Sequence, residues 1–181
     1  MPRQIVLLRG INLVKRNRIA MPELRTALDA EGFGGVQTYV QSGNIVLSSP
    51  ASPERVAEQV NATIKKRFGF DIVVIVRSHA ELAAVVQRNP LAKIATNPSR
   101  YLVTFLSAEL PSGFGHQWAR VANQEAFAVT GREVYSWHRD GVGRSPLWER
   151  LASKSLGVAA TSRNWATVTT LLAMAGDTTA R

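Results

Sequence analysis

The stretch Ile5-Val6-Leu7-Leu8-Arg9-Gly10-Ile11 limits the folds open to this chain more than any other. It is apolar without alternating, so it does not suit a strand with one wet face. Residues 3–11 read instead as a central strand covered on both sides. The run is far too short to cross a bilayer, which takes roughly 18 apolar residues or more. The longest uninterrupted apolar runs, such as 72–76 and 171–175, are no better placed to do so. A strand of this kind needs neighbours in its sheet and a layer over each face.

The following segments supply them. After a polar loop at 12–18, Pro22 suits the first turn of a helix, where its missing N–H costs nothing. Met21, Leu24 and Leu28 share one helical face, and Gly32 stops the helix. Residues 35–41 and 44–49 form a hairpin about Ser42-Gly43, where glycine supplies a positive φ. Ser52 is a good N-cap with Pro53 behind it, Val56, Val60 and Ile64 form a buried stripe, and Gly69 closes that helix. Residues 71–77, DIVVIVR, are a strand. The order over 3–77 is therefore β-α-β-β-α-β, the ferredoxin-like arrangement of an antiparallel sheet with two helices on one face.

The second half is less regular. A helix runs from Ser78 or His79 to Gln87 and is stopped by Asn89-Pro90. Tyr101–Ser107 is a strand, 116–121 a short helix, and 125–130 with 133–138 a hairpin about Gly131-Arg132. Ser145 caps a helix ending near Ser153, and Ser162 caps a last one through Met174. The expected fold is α+β, with two ferredoxin-like (βαββαβ) halves, 1–78 and a modified 79–181, in one compact unit. No residue-level repeat links the halves.

Four segments belong together: LLRGINLV (7–14), TYVQSGNIV (38–46), GVGRSPL (141–147) and TSRNWATVTTLL (161–172). In order and spacing they resemble the bacterial domain of unknown function 1697 (DUF1697) family, over Arg3 to about Ala175. The resemblance implies two ferredoxin-like subdomains in one α+β unit and no established activity. Where that family has Gly-Gly after its first Asn-Val, this chain has Leu13-Val14-Lys15-Arg16, a bulkier and more basic loop.

The polar residues of the four segments are Arg9, Asn12, Thr38, Gln41, Ser42, Asn44, Arg144, Ser145, Ser162, Arg163 and Asn164. None titrates near neutral pH, so they offer neither a general base nor an activated nucleophile. Guanidinium forks, amides and hydroxyls hold oxyanions well. Gly141-Val142-Gly143-Arg144-Ser145 and Thr161-Ser162-Arg163-Asn164 each precede a helix whose N-terminal N–H groups favour an anion. The expected site is thus Arg9, Asn12, Gln41, Ser42, Asn44, Arg144, Ser145, Arg163 and Asn164. The expected ligand is a small anion containing phosphate, a nucleotide or a carboxylate. The competing structural expectation makes Ser145 and Ser162 plain caps and Ser42 and Asn44 turn braces. It pairs Arg9 with Glu31 or Glu133.

The formal charge of +9 and pI near 10.8 admit a second function, nucleic-acid backbone binding through Lys15, Arg16, Arg18, Lys65, Lys66 and Arg67. Aromatics are missing from the two central strands, which argues against a base-stacking platform. A third is an enzyme acting on a phosphorylated substrate by electrostatic catalysis, with Asp140 or Glu133 in the crevice. The chain has no cysteine, which excludes disulfides and thiolate chemistry. His79, His116 and His138 lack paired metal spacing, so no metal is expected, and the residues name no cofactor. His138 is expected in a surface or capping role, and the tryptophans in the core. The first residues do not read as a signal peptide, so a cytoplasmic protein without a membrane partner is expected.

Overall fold

The computed structural model describes residues 1–14, 16–119 and 125–177. It has a mixed α+β fold containing two four-stranded antiparallel sheets. The chain divides into two units, one of residues 1–84 with 170–181 and one of residues 85–169.

In the first unit the elements follow as β1 (Arg3–Leu8), α1 (Met21–Ala30), β2 (Gly34–Tyr39), β3 (Asn44–Ser48), α2 (Pro53–Phe68), β4 (Val74–Ser78) and α3 (His79–Arg88, which runs past the unit boundary). The sheet order is β2-β3-β1-β4. Val6 and Leu8 of β1 join Leu24 and Leu28 of α1 and Val56, Val60 and Ile64 of α2 in one core. Ile5 and Leu7, on the other face, are 0% and 1% exposed, so β1 is covered on both sides as its unbroken apolar run requires. Ser52 caps α2 by accepting the Arg55 N–H at 3.3 Å, and Gly69 ends it in the left-handed region at φ 83°.

The strands are shorter than the apolar pattern suggests. β1 stops at Leu8, because Gly10 (φ 70°) and Asn12 (φ 52°) turn the chain, and the apolar Ile11 is buried from the loop. β2 stops at Tyr39, because Val40 (φ 51°) leaves the strand. Gly43 cannot be replaced cheaply. Its φ is 78°, and a Cβ there would lie 2.6 Å from the Leu8 Cβ.

The second unit continues from α3 with β5 (Tyr101–Leu106), α4 (Phe114–Ala119), β6 (Ala126–Thr130), β7 (Glu133–Trp137), α5 (Pro146–Ala152), β8 (Ala160–Asn164) and α6 (Trp165–Gly176, whose end belongs to the first unit). Its sheet order is β6-β7-β5-β8. One expectation is corrected here. Ser162 does not cap a helix. It lies in β8, paired with Thr104 of β5, and its hydroxyl is 2.7 Å from the Thr104 hydroxyl. The cap of α6 is Asn164, whose Oδ1 accepts the Thr167 N–H at 2.9 Å. The expected helix over 116–121 begins two residues earlier, and its end at Val121 lies outside the described residues. No described helix is long and apolar enough to cross a membrane.

Candidate functional site

At one end of the first sheet, two loops are tied together by amides. Arg9 leaves β1 half-buried, its backbone N–H on the Val73 carbonyl at 3.0 Å. Asn12 donates its Nδ2 to the carbonyls of Gln41 (2.7 Å) and Ile19 (3.1 Å) and accepts the Ile19 N–H on Oδ1 at 2.8 Å. Asn44, fully buried, donates to the Tyr39 carbonyl at 3.1 Å and to the Ser42 hydroxyl at 3.0 Å. Leu8, just before Arg9, bonds the Gly43 carbonyl at 2.8 Å. The β1 exit loop thus meets the β2–β3 turn, which brings Asn12 to Gln41 and holds Ser42 on Asn44, with Arg9 at the start of the exit loop. Asn12 and Asn44 spend their amides on backbone groups and on the Ser42 hydroxyl, while Gln41 and Ser42 are exposed. Thr38 lies apart from them, its hydroxyl accepting from Arg25 at 2.7 Å.

The same loops hold strain. Val40 is β-branched, sits at φ 51° and is 53% exposed. A non-glycine residue there costs on the order of 1–3 kcal/mol, with little burial to offset it. Asn17, at φ 53°, is steadied by its own bond to the Gly10 carbonyl at 3.0 Å.

In the second unit Arg144 is exposed on a short 3₁₀ turn ahead of α5. Its neighbour Ser145 is buried and capped into a network. The Ser145 hydroxyl donates to Glu125 Oε2 at 2.8 Å and accepts the Trp148 N–H at 2.8 Å. His138 Nδ1 lies 2.8 Å from Ser145 Oγ and 3.2 Å from Glu125 Oε1, and Nε2 lies 2.8 Å from Ser136 Oγ. Glu125 Oε2 also accepts the Leu147 N–H at 3.4 Å. The protein therefore sets its own carboxylate where the glycine loop was expected to receive an external anion.

Burial pushes the His138 pKa down, against the pull of Glu125 in the other direction. The neutral ring that follows satisfies every partner if Nδ1 carries the proton, facing Glu125 and Ser145, and Nε2 accepts from Ser136. Ser136, His138 and Glu125 then stand in the serine–imidazole–carboxylate order of a hydrolytic triad. Ser136 and His138 are both 0% exposed, however, so no substrate reaches them. The cluster is structural, and His138 belongs to the interior rather than to the surface. Glu125 stood outside the four family-like segments, and nothing in its immediate sequence announced it.

Arg163 and Asn164 lie at the end of β8. Arg163 donates from Nη1 to the Thr161 hydroxyl and to the Ser162 carbonyl, each at 2.8 Å. Burial lowers its pKa to about 10, which still leaves it charged at neutral pH. In the first unit Arg77 occupies the matching place. Arg77 faces Ile5, the third residue of β1, and Arg163 faces Val103, the third of β5. Each reaches back to the preceding carbonyl, Arg77 to Val76 at 3.0 Å. Each is followed by a helix cap, Ser78 on Glu81 N–H at 3.2 Å and Asn164 on Thr167 N–H. This is a residue-level repeat too sparse to see in the sequence.

The remaining candidates are dispersed. Lys65 bonds Asp71 at 2.8 Å, Lys66 lies 3.6 Å from Glu31, and Lys15 falls outside the described residues. Glu133 is buried with Arg88 at 3.6 Å, and Asp140 is exposed. Trp118 packs edge-on against Phe114 and Phe127, and Trp165 stacks on Tyr101 at 4.8 Å. Among the described residues no three acidic or histidine side chains are grouped to hold a metal ion.

Comparison with known proteins agrees with this architecture. A family model described as a protein of unknown function (DUF1697) matches residues 1–135. No curated protein matches the chain. A solved structure, that of the conserved bacterial protein SP0830 from Streptococcus pneumoniae, is similar over 96% of this chain and 98% of its own. At 22% identity and a TM-score of 0.72, that likeness concerns the fold.

Proposed function

The chain belongs to the DUF1697 family of proteins of unknown function, and from that premise we propose that it binds a small anionic ligand at the braced loop end of the first sheet. Each unit is taken as a ferredoxin-like half, and the compartment as the cytoplasm. One observation carries the proposal: the 2.7 Å bond from the Asn12 amide to the Gln41 carbonyl, which joins the β1 exit loop to the β2–β3 turn. Arg9, Gln41 and Ser42 are the ligand contacts, with Arg16 and Arg18 adding positive potential from the same loop. Asn12 and Asn44 position them. The strain at Val40 fits such a role, since strained backbone persists where the surroundings over-determine it. Ser145, Arg163 and Asn164 take no part, because Glu125, Thr161 and the start of α6 engage their polar groups.

Binding is favoured over catalysis because the loop end has no titrating group to move a proton. It is favoured over nucleic-acid binding because Lys65 and Lys66 lie against acidic partners. A thermal-shift series with nucleotides, sugar phosphates and small carboxylates tests it. A ligand at a hundred times its Kd adds about 2.7 kcal/mol of stability. That gain should vanish in Arg9→Gln and Ser42→Ala while both variants stay folded. No shift with any anion overturns the proposal.

A further inference from the structure

A groove of about 550 Å³ runs between α1 and α2, on the helical side of the first sheet. Its volume falls within the range of about 300–1,000 Å³ usual for small-ligand sites. It exists because α1 presents short side chains, Ala27 and Ala30, where larger ones would close the gap against Thr63 of α2. The walls differ in sign. α1 contributes Glu23, the residue after it contributes Glu31, and α2 contributes Lys66 and Arg67. Glu31 and Lys66 approach to 3.6 Å across the groove. Glu23 and Arg67 join no ion pair among the described residues. The groove therefore has an apolar floor, a carboxylate available on one side and a guanidinium on the other.

We infer that this groove binds a short apolar peptide through its two charged ends, the ammonium on Glu23 and the carboxylate on Arg67. A tripeptide is the short case to try: extended, it spans about 10 Å at about 3.3–3.6 Å per residue. A carboxylate against a guanidinium fork gains a directed, charge-assisted pair. A purely anionic or purely cationic ligand leaves one wall unanswered. The helix dipoles account for the signs at Glu23, in the first turn of α1, and Arg67, in the last turn of α2, but need no groove between them.

The test is an NMR titration of the full chain with the tripeptide Ala-Leu-Ala, its N-acetylated form and its C-terminal amide. The free tripeptide should bind about tenfold more tightly than either blocked form, with shifts confined to α1 and α2. Glu23→Gln should erase the advantage over the acetylated form only, and Arg67→Gln the advantage over the amide only. Both residues are exposed, so the variants should keep the native melting temperature. Equal binding of all three peptides, or no saturable shift at millimolar concentration, overturns the inference. Arg9→Gln should leave this titration unchanged, so the groove and the loop end succeed or fail separately.

Discussion

The loop end of the first unit and the start of α5 in the second are both polar clusters built where a strand ends, but from different groups. In the first, Asn12 and Asn44 bond backbone carbonyls and a hydroxyl, and no member titrates near neutrality. In the second, a carboxylate, an imidazole and two hydroxyls satisfy one another with little solvent contact. Amides fix geometry at any pH. The Glu125–His138 pair fixes geometry only while its protons stay where they are. The first cluster ties two loops together, whereas the second closes a helix N-terminus with the protein's own carboxylate.

Two hairpin turns give the sharpest contrast, Gly43 beside the first cluster and Gly131 at the far end of the β6–β7 hairpin from the second. Gly43→Ala must force a left-handed alanine and press its Cβ against Leu8 at 2.6 Å and Ile11 at 3.0 Å. Strain of about 1 kcal/mol or more adds to overpacking of about 1–3 kcal/mol. Gly131→Ala, at φ 56°, meets only the Glu109 side chain at 3.8 Å and carries the backbone term alone. Urea unfolding should show Gly43→Ala as the costlier by 1 kcal/mol or more on that scale. Equal losses would mean that the first turn is not packed as described.

Breaking the second cluster should come next in size. Glu125→Ala leaves the buried Ser145 hydroxyl without its acceptor and His138 Nδ1 with Ser145 Oγ alone, at about 1–3 kcal/mol. The same cluster sets a pH dependence. The folded-state pKa of His138 lies below its unfolded value of about 6.5. The unfolded chain therefore takes up a proton first, and stability present above about pH 6.5 is lost as pH falls toward the folded value. His138→Gln should flatten this slope in urea midpoints measured from pH 8 to 5. The Asn12 cluster should give no comparable slope, and one that persisted in His138→Gln would assign the effect elsewhere.

Much of the first unit was legible because its segments carry their own local signals. Ser52-Pro53, the stripe of Val56, Val60 and Ile64, and Gly69 fix α2 without reference to anything distant. The second unit was less legible where structure depends on partners far along the chain. Thr161-Ser162-Arg163-Asn164 reads as a helix start, and Asn164 is one, but the preceding residues become a strand only because β5 offers an unpaired edge. The site was legible as a set of residue types, and of these Asn12 meets Gln41 and Asn44 meets Ser42. What the sequence could not disclose was Glu125, twenty residues ahead of Ser145, taking the place of the expected anion. Nor could it disclose Arg77 and Arg163 as counterparts, since their equivalence lies in strand register.

The smallest effect expected distinguishes a brace from a cap. Asn12 holds two carbonyls and one N–H, all on loop segments that no helix or strand ladder supports. Asn12→Ala should cost about 1–2 kcal/mol at typical net values per hydrogen bond, less than the sum because water reaches the exposed Gln41 carbonyl side. Asn12→Asp keeps the Oδ1 acceptor for Ile19 N–H but replaces the amide donor with a second oxygen, which repels the carbonyls of Gln41 and Ile19. Ser52→Ala, a simple cap loss, should cost about 1 kcal/mol. The two should part in hydrogen exchange rather than in midpoint. Ser52→Ala should raise exchange in the first turn of α2 alone. Asn12→Ala should raise it at Ile19 and at the β2–β3 turn together, because a single side chain couples them. Exchange confined to Ile19 would show that the loops are held together by something other than Asn12.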